Sequence, residues 1–147
     1  MNPLKIGFLA ALAIAYALVH PASAEDATTT KILVTPLLKT GTDIVDQPIV
    51  YPPGTPGITA VIITIPPGVK TGWHLHEVPL YAYILDGEVT VDYGDKGIKI
   101  YKTGDVFMEA MNWVHNGANE TTEPVRIMTV SMGSDEKANT VPMPAPK

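Results

Sequence analysis

From residue 32 onward the sequence predicts an all-β fold. Short runs rich in β-branched and aromatic residues recur at about 8–12-residue spacing, each closed by Gly or Pro, which is the pattern of a sandwich or barrel. No segment there sustains the 3.6-residue apolar period of a packed helix.

The first strong run is 58–65 (ITAVIITI), which stops at the turn signal Pro66-Pro67-Gly68. Residues 80–85 and 88–93 read as two strands, and Asp86-Gly87 between them predicts a two-residue hairpin. In that register Leu85 faces Glu88, Ile84 faces Val89, Ala82 faces Val91 and Leu80 faces Tyr93. Leu80, Ala82, Ile84, Val89 and Val91 then form an apolar inner face, with Tyr93 inward at its end. The outer face carries Glu88, Thr90 and Asp92 beside Tyr81, Tyr83 and Leu85. Cover by the N-terminal arm or the C-terminal strand would explain those outer aromatics, and so would a homodimer contact.

Gly94-Asp95-Lys96-Gly97 turns the chain into 98–102, and Thr103-Gly104-Asp105 turns it again. In the alternating stretch 106–109, Val106 and Met108 are the expected interior pair, which leaves Glu109 outside. Residues 124–132 (PVRIMTVSM) supply a last long strand. The mature chain thus divides into an arm with edge strands over 25–50, a single β-domain over 51–132, and a proline-rich tail over 133–147. That tail is expected to be extended or disordered.

The N-terminus has the form of a secretory signal. Lys5 supplies the positive charge, 6–19 is an apolar stretch, and Ala22-Ser23-Ala24 is a cleavage site before Glu25. The apolar stretch is about fourteen residues, short of the roughly 20 that span a bilayer. The expectation is a secreted or periplasmic protein, cut after Ala24 and not membrane-spanning once mature. With no cysteine, an oxidising compartment poses no pairing problem. The net charge is −5, Arg126 is the one arginine, and no basic cluster exists, which argues against a nucleic-acid partner. No Gly-rich phosphate loop is present, and no serine sits in a G-x-S-x-G setting.

The chain has four histidines, and His20 lies in the leader. The others form one set, His74-Leu75-His76 and His115. Residues i and i+2 on an extended strand share a face, so the first two imidazoles can reach one metal ion, and His115 arrives from a distant segment as a third.

Around this set, Gly68-x5-His74-x-His76 with Gly87, and Gly104 with His115-x3-Asn119, resemble the two motifs of the cupin superfamily. Ala110 and Asn112 stand where the second motif has proline and glycine. The resemblance spans about residues 58–132 and implies a small jelly-roll β-barrel with a metal inside, held by His74, His76 and His115. The glutamate of the first motif falls on Leu80, which the hairpin register turns inward. Glu77, next to His76 near the irregular Pro79, is the alternative carboxylate. Three-histidine cupins include Fe(II) dioxygenases, and related sites accept manganese, nickel, copper or zinc.

The resemblance therefore implies a divalent metal and oxygenase-type chemistry on a small organic ligand. With three neutral ligands the ion would keep its full charge and favour anionic, chelating molecules. The expected pocket wall is Leu80, Ala82, Ile84 and Met108, with Trp113 and Tyr93 as wall or filler, while Asn119 braces the turn after His115. The rival reading is a cupin that binds a metal or small ligand without catalysis. It draws support from the want of any inward-facing acid or base other than Tyr93.

Overall fold

Regular structure among residues 31–147, the part that the computed structural model describes, is almost entirely antiparallel β. Residues 35–147 form one unit; 31–34 belong to a separate one and are exposed, without regular structure. The expected signal segment and its expected cleavage site lie outside the described residues. No described helix is long and apolar enough to cross a membrane.

The strands are β1 (Pro56–Ile65), β2 (His74–Leu75), β3 (Leu80–Asp86), β4 (Glu88–Asp92), β5 (Ile98–Lys102), β6 (Val106–Met108), β7 (Asn116–Ala118), β8 (Val125–Ser134) and β9 (Val141–Pro142). They form a four-stranded sheet in the order β1-β8-β3-β6, a three-stranded sheet β5-β4-β7 and the pair β2-β9. Apolar side chains from the two larger sheets meet in one core: Leu80, Ala82, Ile84, Phe107, Val125 and Ile127 from the first, Val89, Val91 and Tyr101 from the second. This all-β arrangement is consistent with a jelly roll.

Asp86-Gly87 does not close a hairpin. β3 pairs with β6 and β8, whereas β4 pairs with β5 and β7, so the chain changes sheets at Gly87. At this corner Gly87 packs against residues 124 and 125, which are distant in sequence. Gly87 has φ 82°, and a Cβ there would meet the Pro124 carbonyl oxygen at 2.9 Å and the Val125 Cα at 3.0 Å. Glycine alone allows both the left-handed turn and the contact with β8. The expected interior set is nonetheless buried, because alternation along each strand survives the loss of direct pairing.

A second correction concerns β6. Phe107 pairs with Ala82, and Met108 with Tyr81. Opposed residues in an antiparallel pair project to the same face, so Phe107 follows Ala82 inward and Met108 follows Tyr81 outward. Glu109, one step beyond, returns to the Phe107 side and is buried. Outside, Met108 and Tyr81 share a shallow depression with Tyr51 and with Leu37 and Leu38 of the arm. The Ile44 N–H donates to the Met108 carbonyl at 2.9 Å. Arm cover therefore accounts for Tyr81.

The tail is extended but fastened. β9 pairs with β2, Met143 N donates to the Trp73 carbonyl at 2.9 Å, and Lys137 and Ala138 both bind the Glu77 carboxylate.

Candidate metal centre

His74 opens β2, His76 follows it, and His115 immediately precedes β7. His74 and His115 are bridge partners that exchange backbone hydrogen bonds, N to O at 2.9 Å in each direction. The His76 carbonyl accepts from Asn112 N at 2.7 Å, which ties the third histidine to the loop between β6 and β7. Asn112 has φ 50°, a left-handed conformation that asparagine tolerates, so it can stand where the motif carries glycine. Gly68 (φ 73°) and Gly104 (φ 94°) hold turns that need positive φ. Asn119, fully buried, donates to the Ile65 and Glu123 carbonyls and accepts from Thr121; it braces the loop after β7.

The three rings converge, with centroids 4.4 to 5.1 Å apart and one ligand nitrogen from each within 4.8 Å of the others. Each Nδ1 lies against a backbone carbonyl: His74 against Gly72 at 2.8 Å, His76 against Asn139 at 2.7 Å and His115 against Trp113 at 2.9 Å. A carbonyl oxygen can only accept, so each Nδ1 carries the hydrogen and each Nε2 is left with its lone pair. Burial, reinforced by the neighbouring imidazoles, lowers His76 and His115 to about 4, so both rings are neutral near pH 7. Neutral imidazoles with fixed tautomers and convergent Nε2 atoms are a donor set that could hold a divalent ion.

Glu109 enters this space from the end of β6. Its Oε2 is 3.8 Å from His115 Nε2. Because His115 is neutral, this is an approach of two donor atoms, not an ion pair. Oε1 is held by Tyr93 Oη at 2.8 Å and by the Ala110 N–H at 2.7 Å. Burial pushes the carboxyl up to about 7, against the pull of those two donors. Burial, with Glu109 alongside, also pushes the Tyr93 hydroxyl up, so it stays protonated and donates.

The four groups face a cavity of about 470 Å³ between the sheets. Of the expected wall, Leu80 and Ala82 line it. Ile84 and Tyr93 lie deeper in the core, and Met108 points to the other face of its sheet. Trp113 packs on the core and donates its Nε1–H to the Tyr93 carbonyl at 2.8 Å, while Trp73 is the tryptophan on the wall. Glu77 is committed to Lys137 and to Ala138 N, so it is not the carboxylate of the site. The sequence reading missed Glu109 because apolarity favoured Val106 and Met108 as the inward pair. It missed Asn139 and Thr140, also on the wall, because a polar, proline-rich tail gives no periodic signal.

Comparison with known proteins agrees with the all-β fold. Residues 61–131 match the family described as the cupin domain. A Klebsiella pneumoniae protein with a double-stranded β-helix domain is 21% identical, with a TM-score of 0.50 over 78% of this chain and 93% of its own. Oxalate decarboxylase from Lactobacillus farciminis, solved as a formate complex, is 21% identical with a TM-score of 0.51 over 58% of this chain; the match spans 26% of the decarboxylase. The DMSP lyase DddQ from Ruegeria pomeroyi is 20% identical with a TM-score of 0.52, covering 58% of this chain and 43% of that one. The sequence matches none of the curated proteins. Residues 61–131 of this chain form a domain of the cupin superfamily.

Proposed function

We propose that the chain is an exported cupin, a closed jelly-roll barrel, that holds one divalent metal on His74, His76 and His115 and acts on a small organic ligand, with oxygenation as its reaction class. One observation carries this reading: all three Nδ1 atoms are engaged by backbone carbonyls, so the three Nε2 atoms are free to ligate. The metal, when bound, would supply Lewis acidity and open positions for ligand or O2. The chain's own residues do the rest. Leu80, Ala82 and Phe107 present apolar surface that favours expulsion of water. Glu109 Oε2 is the carboxylate oxygen at hand either to complete the ligand set or to take a proton from a molecule beside His115. This inward carboxylate answers the lack of an acid or base that had supported a purely binding role.

The leader is part of the proposal, and intact mass of the exported protein should begin at Glu25. Metal analysis of protein from its own compartment should give about one ion per chain, and each of His74→Ala, His76→Ala and His115→Ala should lower it. Oxygen uptake with small acids, enols and diols then tests the chemistry. Wild-type metal content in all three variants would overturn the site, and a metal-loaded protein inert to O2 with every such compound would overturn the oxygenase reading.

A further inference from the structure

The inward face of β8 carries Ile127, Thr129 and Ser131 in succession, each more than nine-tenths buried and each on the cavity wall. Pairing sorts the wall into rows. Ser131 lies between Thr59 and Leu80, Thr129 between Val61 and Ala82, and Ile127 between Ile63 and Ile84. Crossing these rows, the wall passes from hydroxyls to branched hydrocarbon. The direction is fixed by the tail: Thr59 Oγ1 accepts from Asn139 Nδ2 at 3.1 Å, and the Asn139 carbonyl holds His76. The hydroxyl rows thus stand toward the histidines. Ile63, Ile65 and Ile127 make the apolar end, and Phe107, beside Ala82 in the Thr129 row, adds apolar surface next to it.

Among the described residues, neither the Thr129 nor the Ser131 hydroxyl has a hydrogen-bond partner, and no sealed-off side-chain polar atom is left without one. Both hydroxyls therefore open onto the cavity. Side chains buried this deeply normally bond to the protein or to something bound in the space they face. Successive positions on one strand face stand roughly 7 Å apart, about twice the rise per residue, so the pair can address separate oxygens of one molecule.

We propose that Thr129 and Ser131 form the specificity subsite for an amphipathic oxyacid. Its oxygen-bearing head lies between these hydroxyls and the histidines, and its branched hydrocarbon body packs on Ile63, Ile127 and Phe107. A purely polar ligand would leave that apolar end unfilled, and a pure hydrocarbon would leave two hydroxyls without partners. This inference rests on the metal reading for the position of the head.

The probe is 4-methyl-2-oxopentanoate, titrated calorimetrically into Zn(II)-loaded protein, with azide as a probe of the ion alone. Wild type should bind the oxoacid. Thr129→Val and Ser131→Ala should each weaken it about tenfold, the size of one hydrogen bond to a charged group, while metal content and azide affinity stay unchanged. Unchanged oxoacid affinity in both variants, or equal loss of oxoacid and azide, would overturn the subsite. Failure of the wild type to bind the oxoacid would overturn the ligand class. If the wild type takes up no metal, the metal reading falls, and the same titrations on metal-free protein still decide the hydroxyl pair.

Discussion

Tyr93 Oη donates to Glu109 Oε1 at 2.8 Å, and Tyr101 Oη lies 3.2 Å from the same phenol. This buried chain aims the Glu109 carboxylate at the cavity: with Oε1 held, Oε2 is the oxygen turned to His115. Tyr93→Phe should therefore loosen Glu109 without emptying the pocket. The expected loss is about 1–2 kcal/mol in unfolding free energy, the size of a buried hydrogen bond broken on one side. Metal affinity should fall by about tenfold, as for other groups that orient a ligand. Urea unfolding and a competitive metal titration measure the two effects. A stability loss with unaltered metal affinity would show that Glu109 does not serve the ion.

Removing the carboxylate charge gives a sharper result. Glu109→Gln keeps the shape and the hydrogen bond to Tyr93, yet should weaken metal retention at pH 7 by tenfold or more. A chelator-competition assay decides, and equal retention would leave the three histidines as the whole protein ligand set.

The metal-free protein should show a signed dependence on pH. His76 and His115 titrate near 4 when folded, below the ordinary imidazole value of 6.5. Their stability contribution is therefore complete above about 6.5 and is lost as pH falls toward 4, on the order of 3 kcal/mol per ring at most. Glu109 acts in the opposite sense. Its carboxyl is raised from 4.5 to about 7, so the folded state gives up stability as pH rises through that window. Wild-type stability should rise with pH between 4 and 6.5, and more steeply in Glu109→Gln. Unfolding midpoints measured at pH 5 and 7.5 test this; a flatter profile in the variant would contradict the opposition.

Gly87→Ala should be severe for a surface turn. The added Cβ would stand 2.9 Å from a backbone oxygen, and φ is 82°, so strain and overlap add. A loss of about 2 kcal/mol or more is expected in chemical denaturation. A change under about 0.5 kcal/mol would mean that the two sheets can separate at this corner without cost.

Ending the chain after Glu136 should spare the two larger sheets and impair the site. It removes β9, the Asn139 carbonyl that holds His76, and the partners of Glu77. Far-ultraviolet circular dichroism should stay nearly unchanged, while metal affinity drops by about tenfold. Full affinity in the truncated protein would make the tail mere cover.

How much of this could be read beforehand follows from what periodicity encodes. The i, i+2 spacing of His74 and His76 and the motif glycines are local facts, and they placed the histidine set. Alternation placed Leu80, Ala82, Ile84, Val89 and Val91 inside. What alternation cannot encode is partnership. Asp86-Gly87 has the composition of a hairpin, but the crowding of Gly87 against Val125 that sends the chain to another sheet involves a segment far along the sequence. β6 is only three residues long, and Phe107 and Met108 are both apolar, so only the Ala82–Phe107 register decides which faces in and delivers Glu109 with it.

His76 and the carbonyl that fixes its tautomer are 63 residues apart along the chain. Contacts of such long loop closure are costly early in folding and form late. The body of the protein can then assemble while one imidazole still samples both tautomers, and the site acquires its final ligand only when residues 139–143 dock. Metal competence on this account lags behind the appearance of β-structure, and the interval between the two is set by the tail.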